Sequence, residues 1–268
     1  MLLAVDVGNS SIKFGVFEGD ALLFTFWCLS RELSILDLVD QIRQSMDNEG
    51  CAIHGIDTIG ISSVVASNHR LISQALNEVF MARQLWLDSS YYPASLGVQS
   101  SNKDELGVDL AMGMVGAQRL LPATDIIIVD LGTATTFVAM NASGMLKGVA
   151  LLSGLRVTLR ALADSAAALP HVEVRRIYAR RCMALNTVDA MLGGTYYAHV
   201  GALREIIKRM SSEMQEGNHQ DGSTSMPKVV ATGGYSTLLA QDVVFDVVEP
   251  NLVLYGIRDC CANARVDS

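Results

Sequence analysis

No excess of basic residues marks the sequence: 20 Lys and Arg stand against 28 Asp and Glu, leaving a formal charge of −8 over 268 residues. Nucleic acids and anionic membranes are held mainly by Lys and Arg displacing counterions, so neither is an expected partner. Long hydrophobic runs are missing too. Half of the residues are hydrophobic, yet Gly, Ser, Asp or Lys breaks the apolar stretches every few positions, far short of the ~20 residues of a membrane-crossing helix. The opening Met1-Leu2-Leu3-Ala4-Val5 has no basic stretch before it and meets Asp6 at once, which reads as a buried strand rather than a signal peptide. The five cysteines (Cys28, Cys51, Cys182, Cys260, Cys261) contain no CxxC pair and no His at metal spacing, so free thiols in a cytoplasmic protein are expected. His54, His69, His171, His199 and His219 lack Cys or carboxylate partners at ligand spacing, which favours surface or packing roles. With the net charge unfavourable, a bound phosphate would need main-chain N–H groups, a lysine or a divalent cation.

A chain of this length is expected to divide into two domains, placed at residues 1–120 and 121–268. The first opens as a three-strand meander: an apolar run to Val7, a turn at Gly8-Asn9-Ser10, alternation through Ile12, Phe14 and Val16, a turn at Gly19-Asp20, and Ala21 to Cys28. Ser34-Ile35-Leu36-Asp37 has capping-box spacing and opens a helix with apolar positions Leu36, Val39, Ile42 and Met46, stopped by Gly50. A strand over Ile56–Val65, a helix over Arg70–Phe80, a short strand at Leu85–Leu87 and a helix over Leu110–Leu120 follow. The second half repeats the order. Strands are expected at Ile126–Asp130, Thr135–Met140 and Leu146–Leu152, helices at Leu155–Ala168 and Thr187–Met210, a loop at Ser211–Pro227, a strand at Lys228–Thr232 and a last helix at Asn251–Ala262. Hairpins followed by strand–helix alternation imply two mixed sheets with flanking helices, an α/β fold.

The most informative feature is internal. Asp6-Val7-Gly8-Asn9-Ser10-Ser11 and Asp130-Leu131-Gly132-Thr133-Ala134-Thr135 share the pattern D-x-G-(N/T)-x-(S/T), and each ends an apolar strand and begins a hairpin. Glycine permits close backbone approach there, turn N–H groups and hydroxyls can donate to phosphate oxygens, and each Asp can hold a hydrated cation. A single copy is also ordinary hairpin chemistry; two in matching contexts point to a triphosphate gripped by both domains. Thr232-Gly233-Gly234 ends another buried strand, where glycine lets adenine or ribose lie against the backbone. Asp109 suits the N-cap of the helix that follows it and equally suits a base accepting an alcohol proton; residue type leaves both open.

These motifs in this order, DxGNS, Gly107-Val108-Asp109, DLGTATT, Asn186-Thr187 and TGG, resemble type III pantothenate kinases along essentially the whole chain. The resemblance implies two ribonuclease H-like domains, the duplicated actin-like ATPase fold. It also implies ATP and Mg²⁺ as cofactors, a monovalent cation (K⁺ or NH₄⁺), pantothenate as substrate and a homodimer. It places the nucleotide at Asp6, Val7, Gly8, Asn9, Ser10, Ser11, Ile12, Lys13, Thr133, Gly233 and Gly234, and metal ions at Asp6 and Asp130. Pantothenate is placed at Ser100, Gly107, Val108, Asp109, Leu110 and Thr187, with Asp109 as general base.

Departures from the family pattern fall on the acceptor side. Leu110 stands where the pattern has arginine, Ser100 where it has an aromatic, Lys103 where proline is frequent, Ser153-Gly154 for Pro-Gly, and Leu192-Gly193-Gly194 for Gln-Ser-Gly. Arg to Leu removes a planar set of charged donors, for which Arg156 and Arg160 are candidate replacements. Beside pantothenate phosphorylation, two readings therefore stay open: a non-catalytic nucleotide-binding regulator, and a kinase for another small alcohol.

Overall fold

The structure, a computed structural model, describes residues 1–30, 34–94, 96–97, 106–174, 181–218 and 226–264. Ser100, Lys103 and His219 lie outside the described residues. The chain forms two compact units, Met1–Pro122 with Asn251–Ser268, and Ala123–Pro250.

In the first unit β1 (Leu2–Val7), β2 (Ser11–Glu18) and β3 (Ala21–Leu29) form the expected meander. Then come α1 (Ile35–Asn48), β4 (Thr58–Ser63), α2 (His69–Val79), β5 (Arg83–Trp86) and α3 (Val108–Leu120). Ser34 caps α1 as its spacing requires, accepting from the Asp37 N–H at 3.1 Å. Strand order is β3-β2-β1-β4-β5, with β1 antiparallel to β2 and parallel to β4. Alternation sorts the side chains by face. Leu3, Val5, Val7, Ile12, Phe14, Ile59 and Ile61 pack with Leu38, Ile42, Met46, Ile72 and Leu76 of α1 and α2, so Asp6, Lys13, Gly60 and Ser62 belong to the opposite face.

The second unit repeats the pattern. It contains β6 (Ile126–Leu131), β7 (Ala134–Met140), β8 (Leu146–Ser153), α4 (Leu155–Ser165), α5 (Thr187–Asn218), β9 (Lys228–Thr232), α6 (Ser236–Leu239) and β10 (Val247–Val248). Its sheet order is β8-β7-β6-β9-β10, again antiparallel on the hairpin side and parallel on the other. Ile127, Val129, Leu131, Phe137 and Ala231 form its core with Leu155 and Leu159 of α4 and Met191, Leu192, Tyr196, Val200 and Leu203 of α5. Two mixed five-stranded sheets of identical order and sense, each flanked by helices, are a duplicated ribonuclease H-like fold.

Three features differ from the sequence reading. The last helix, α7 (Leu252–Ala264), lies in the first unit, not at the end of a domain running from 121 to 268. Small residues explain where it packs: a methyl at Gly60 would strike Cys261 and Ile257 of α7, and one at Gly256 would come within 2.7 Å of the Met112 carbonyl carbon in α3. Glycine thus lets α7 lie directly on the sheet and on α3. Second, α5 runs through Ser211 to Asn218 where a loop was expected. The Ser211 and Ser212 hydroxyls donate back to the Ile207 and Lys208 carbonyls, and Met214 is buried, so the polar sequence still has a helical anchor. Third, α3 begins at Val108 with Gly107 as N-cap, so Asp109 lies in the first turn and is not the cap.

Candidate functional site

In the first unit the turn after β1 is tied back from one side. The Ser30 hydroxyl donates to the Gly8 carbonyl at 2.6 Å, and the Ser30 N–H donates to the Ser10 carbonyl at 3.1 Å. Asn68 in turn donates to the Ser30 carbonyl at 3.2 Å. A trans peptide points its C=O and N–H in opposite directions. With the Gly8 and Ser10 carbonyls turned toward Ser30, the N–H groups of Asn9 and Ser11 are turned away from it, as anion-binding donors must be. Val7 and Ile12 are fully buried in the α1–α2 core, so at this turn they offer main-chain groups only. Asp6 pairs in register with Lys13 on β2 and with Ser62 on β4, which places the carboxylate, the ammonium and a hydroxyl in one row on the α7 face.

Asp109 belongs to the same unit. It is half-buried, and its Oδ1 accepts the Leu110 N–H at 2.8 Å. Burial pushes its carboxyl above the ordinary carboxylate range, the Leu110 N–H pulling the other way. A methyl on Gly107 would approach Asp109 Oδ1 to 2.6 Å, so the residue before α3 must be small for the carboxylate to sit where it does. Gly107, Val108, Asp109 and Leu110 therefore form one continuous structural feature.

The second unit copies the first turn with different parts. The Gly154 N–H donates to the Thr133 carbonyl at 3.0 Å, and Gly154 lies so close that a methyl there would be 2.5 Å from that oxygen and would also strike the Gly132 carbonyl. Both carbonyls face Gly154, so the N–H groups of Thr133 and Ala134 face away. On the other side the loop after β9 crosses the turn. Gly233 has φ of +85°, and a methyl there would run into Asp130 Oδ1 and come within 2.7 Å of Leu131 N. Only glycine fits that approach; Gly234, with open space around it, carries no such requirement. Asp130 pairs in register with Thr136 and with Thr232. Each aspartate thus has a buried hydroxyl residue beside it on the neighbouring parallel strand, Ser62 or Thr232. Sequence reasoning assigned neither a role, because parallel register between segments dozens of residues apart leaves no local mark.

Thr187 is the first residue of α5, whose start is held by Asn186: its Oδ1 accepts the Asp189 N–H at 2.9 Å. Of the two arginines considered as replacements on α4, Arg160 lies 3.7 Å from Asp164. Tyr196 and Met191 are core residues; the Tyr196 hydroxyl reaches Asp242 at 2.5 Å. The buried thiols are chemically quiet: burial pushes Cys28 up to about 11 and Cys260 up to about 12.

The donors beside Asp6 suit a divalent cation. The Ser62 hydroxyl, fully buried and without a hydrogen-bond partner among the described residues, lies beside Asp6. One carboxylate plus a neutral oxygen is the sparse, hard set that Mg²⁺ accepts when waters and phosphates complete its shell. Among the described residues no cluster of three or more His, Cys, Asp or Glu forms an all-protein metal cage, and no helix is long and apolar enough to cross a membrane.

The fold has a solved counterpart. The crystal structure of a conserved Campylobacter jejuni protein described as a Baf family transcriptional activator superposes with a TM-score of 0.58, covering 98% of this chain and 99% of that one. At 17% identity this likeness speaks to the fold alone: two ribonuclease H-like units. Sequence identifies the family within that fold class. The type III pantothenate kinase family model matches residues 2–209. A type III pantothenate kinase of Legionella pneumophila (strain Paris) is 31% identical over 258 residues, 96% of this chain and 97% of that protein. One from Dehalococcoides mccartyi (strain ATCC BAA-2266 / KCTC 15142 / 195) is 30% identical over 259 residues, covering 96% and 95%. The chain belongs to the type III pantothenate kinase family.

Proposed function

We propose that this chain transfers the γ-phosphoryl group of ATP to the primary hydroxyl of pantothenate, giving 4′-phosphopantothenate for coenzyme A synthesis. The observation that carries the chemistry is the doubled turn: each unit ends its first strand in Asp-x-Gly, ties the turn carbonyls back and leaves N–H groups outward. Donors fixed in this way stabilise charge on phosphate oxygens without reorganising during the reaction. On this reading Asp6, Gly8, Asn9, Ser10, Ser11 and Lys13, with the main chain of Val7 and Ile12, hold the phosphates together with Thr133. Gly233 and Gly234 admit the nucleoside. Gly107, Val108, Leu110 and Thr187 border the acceptor. Asp109 takes the hydroxyl proton as the acceptor oxygen bonds to the γ-phosphorus and the bond to the bridging oxygen breaks, releasing ADP. A carboxyl already raised by burial is better matched to that proton than an exposed one. Mg²⁺ held at Asp6 would supply neutralisation of phosphate charge, and K⁺ or NH₄⁺ is assigned to Asp130.

Two further parts of the proposal are a homodimer and a cytoplasmic location. Support for the dimer is the edge strand β8, where Leu151 is 70% exposed and Val149 43%: an apolar edge of this kind is normally covered. Leu110, half-buried beside Asp109 where the family pattern has arginine, favours one alternative, a kinase for a less polar alcohol. A single assay separates the readings: purified protein with Mg-ATP and K⁺ or NH₄⁺, offered pantothenate and a panel of small alcohols, beside Asp109→Asn. Pantothenate turnover abolished by Asp109→Asn supports the proposal. Turnover on another alcohol alone, or nucleotide binding with no turnover on any acceptor, overturns it.

A further inference from the structure

His199 stands on α5 with only 4% of its surface exposed, and both of its ring nitrogens meet main-chain carbonyl oxygens: Nδ1 lies 3.0 Å from Thr195 O and Nε2 lies 2.8 Å from Ser153 O. A carbonyl oxygen can only accept, and Ser153 O is the nearer of the two, so the ring N–H is assigned to Nε2, which donates to it.

The oxygen that Nε2 meets belongs to the peptide joining Ser153 to Gly154. The N–H at the other end of that peptide is the Gly154 donor to Thr133 O at 3.0 Å, and the Thr133 carbonyl in turn shares a peptide with the Ala134 N–H. The path runs from imidazole N–H to Ser153 carbonyl, Gly154 N–H to Thr133 carbonyl, and ends at the Ala134 N–H, which is turned away from Gly154. Each trans peptide relays a donor on one side to a donor on the other, and hydrogen bonds in series polarise one another.

We propose that His199 is a positioning residue of the second phosphate turn. Donating Nε2–H to the Ser153 carbonyl, it fixes the Ser153–Gly154 and Thr133–Ala134 peptides and polarises the outward Ala134 N–H toward an anion. The first turn is held by other parts, the Ser30 hydroxyl and the Asn68 amide. The inference rests on the proposed nucleotide role of the Asp130–Thr136 turn. It adds a residue from a helix more than sixty positions downstream whose side chain touches no phosphate itself.

Two readouts test it. In ¹⁵N-histidine-labelled full-length protein, with His199 assigned by its absence in His199→Phe, Nε2 of His199 should resonate as a protonated ring nitrogen. An unprotonated Nε2 overturns the inference and leaves the kinase reading intact. Equilibrium binding of a non-hydrolysable ATP analogue should weaken about tenfold in His199→Phe. The loss should be smaller in His199→Gln, which keeps a donor, and pantothenate KM should stay within about twofold in both. Unchanged analogue affinity in a folded His199→Gln overturns the positioning role. Failure of the wild-type protein to bind the analogue at all overturns the nucleotide assignment of the turn, and this inference with it.

Discussion

A single carboxylate carries the proposed chemistry. Asp109→Asn keeps the shape and the start of α3 but cannot accept a proton, so kcat is expected to fall by roughly 10²- to 10⁴-fold, with the KM for ATP little changed. Steady-state kinetics in both substrates check this. Because burial raises the Asp109 carboxyl, the acid limb of kcat/KM should lie above the ordinary carboxylate range. A base works only when deprotonated, so activity falls as pH drops through that raised value, and a limb at the ordinary position would contradict the assignment. Gly233→Ala puts a methyl against Asp130 Oδ1 and Leu131 at φ of +85°. Overpacking plus backbone strain of that kind costs on the order of 1–3 kcal/mol, and nucleotide affinity should drop before pantothenate affinity does, as titration with an ATP analogue would show. Asp6, Gly8, Asp109 and Gly233 were all legible as residues. Ser30, Asn68 and Ser62 were not, nor was the place of Thr232 beside Asp130, since each depends on a backbone group or strand neighbour brought near only by folding.

Among the elements, α3 and α7 cross closely enough that their glycines touch the partner's backbone. A side chain at Gly256 would meet Met112, and one at Gly116 would lie 3.1 Å from the Leu252 carbonyl carbon. Gly256→Val should therefore destabilise the first unit by about 2 kcal/mol or more, measurable as a lower midpoint in urea unfolding. At the same crossing, Arg258 of α7 bonds Asp20 of the β2–β3 turn and lies 2.8 Å from Asp259, and Arg119 of α3 lies 3.4 Å from Asp259. Despite the two arginines, burial first and the neighbouring Asp20 charge raise the Asp259 carboxyl to about 6. The folded form then binds this proton more tightly than the unfolded chain, whose Asp titrates near ~3.9. Its contribution is full below that lower value and is lost as pH rises through about 6. Unfolding midpoints of the wild type relative to Asp259→Asn should accordingly rise from pH 7 to pH 5. The opposite slope would show that the arginines dominate. Helix-end chemistry was only partly readable: the Ser34 cap follows from spacing, whereas at α3 the glycine at 107 took the cap and left Asp109 to the first turn.

At the scale of the whole molecule, the last helix returns to the unit in which the chain began. A chain truncated after Pro250 should leave the α7 face of the first sheet and the small-residue side of α3 uncovered. It is expected to lose the cooperative unfolding of the first unit by circular dichroism, and an unaltered melt would contradict this account of the packing. The sequence by itself determined the two hairpin-led halves, the paired Asp-x-Gly turns and the family, because strand alternation and turn residues are written locally, within a few positions of one another. Tertiary structure alone decided where α7 packs, which hydroxyl lies beside each aspartate and that His199 meets the strand ending at Ser153. Those relations depend on register and close approach between segments far apart in the chain, and no local pattern of residues encodes them.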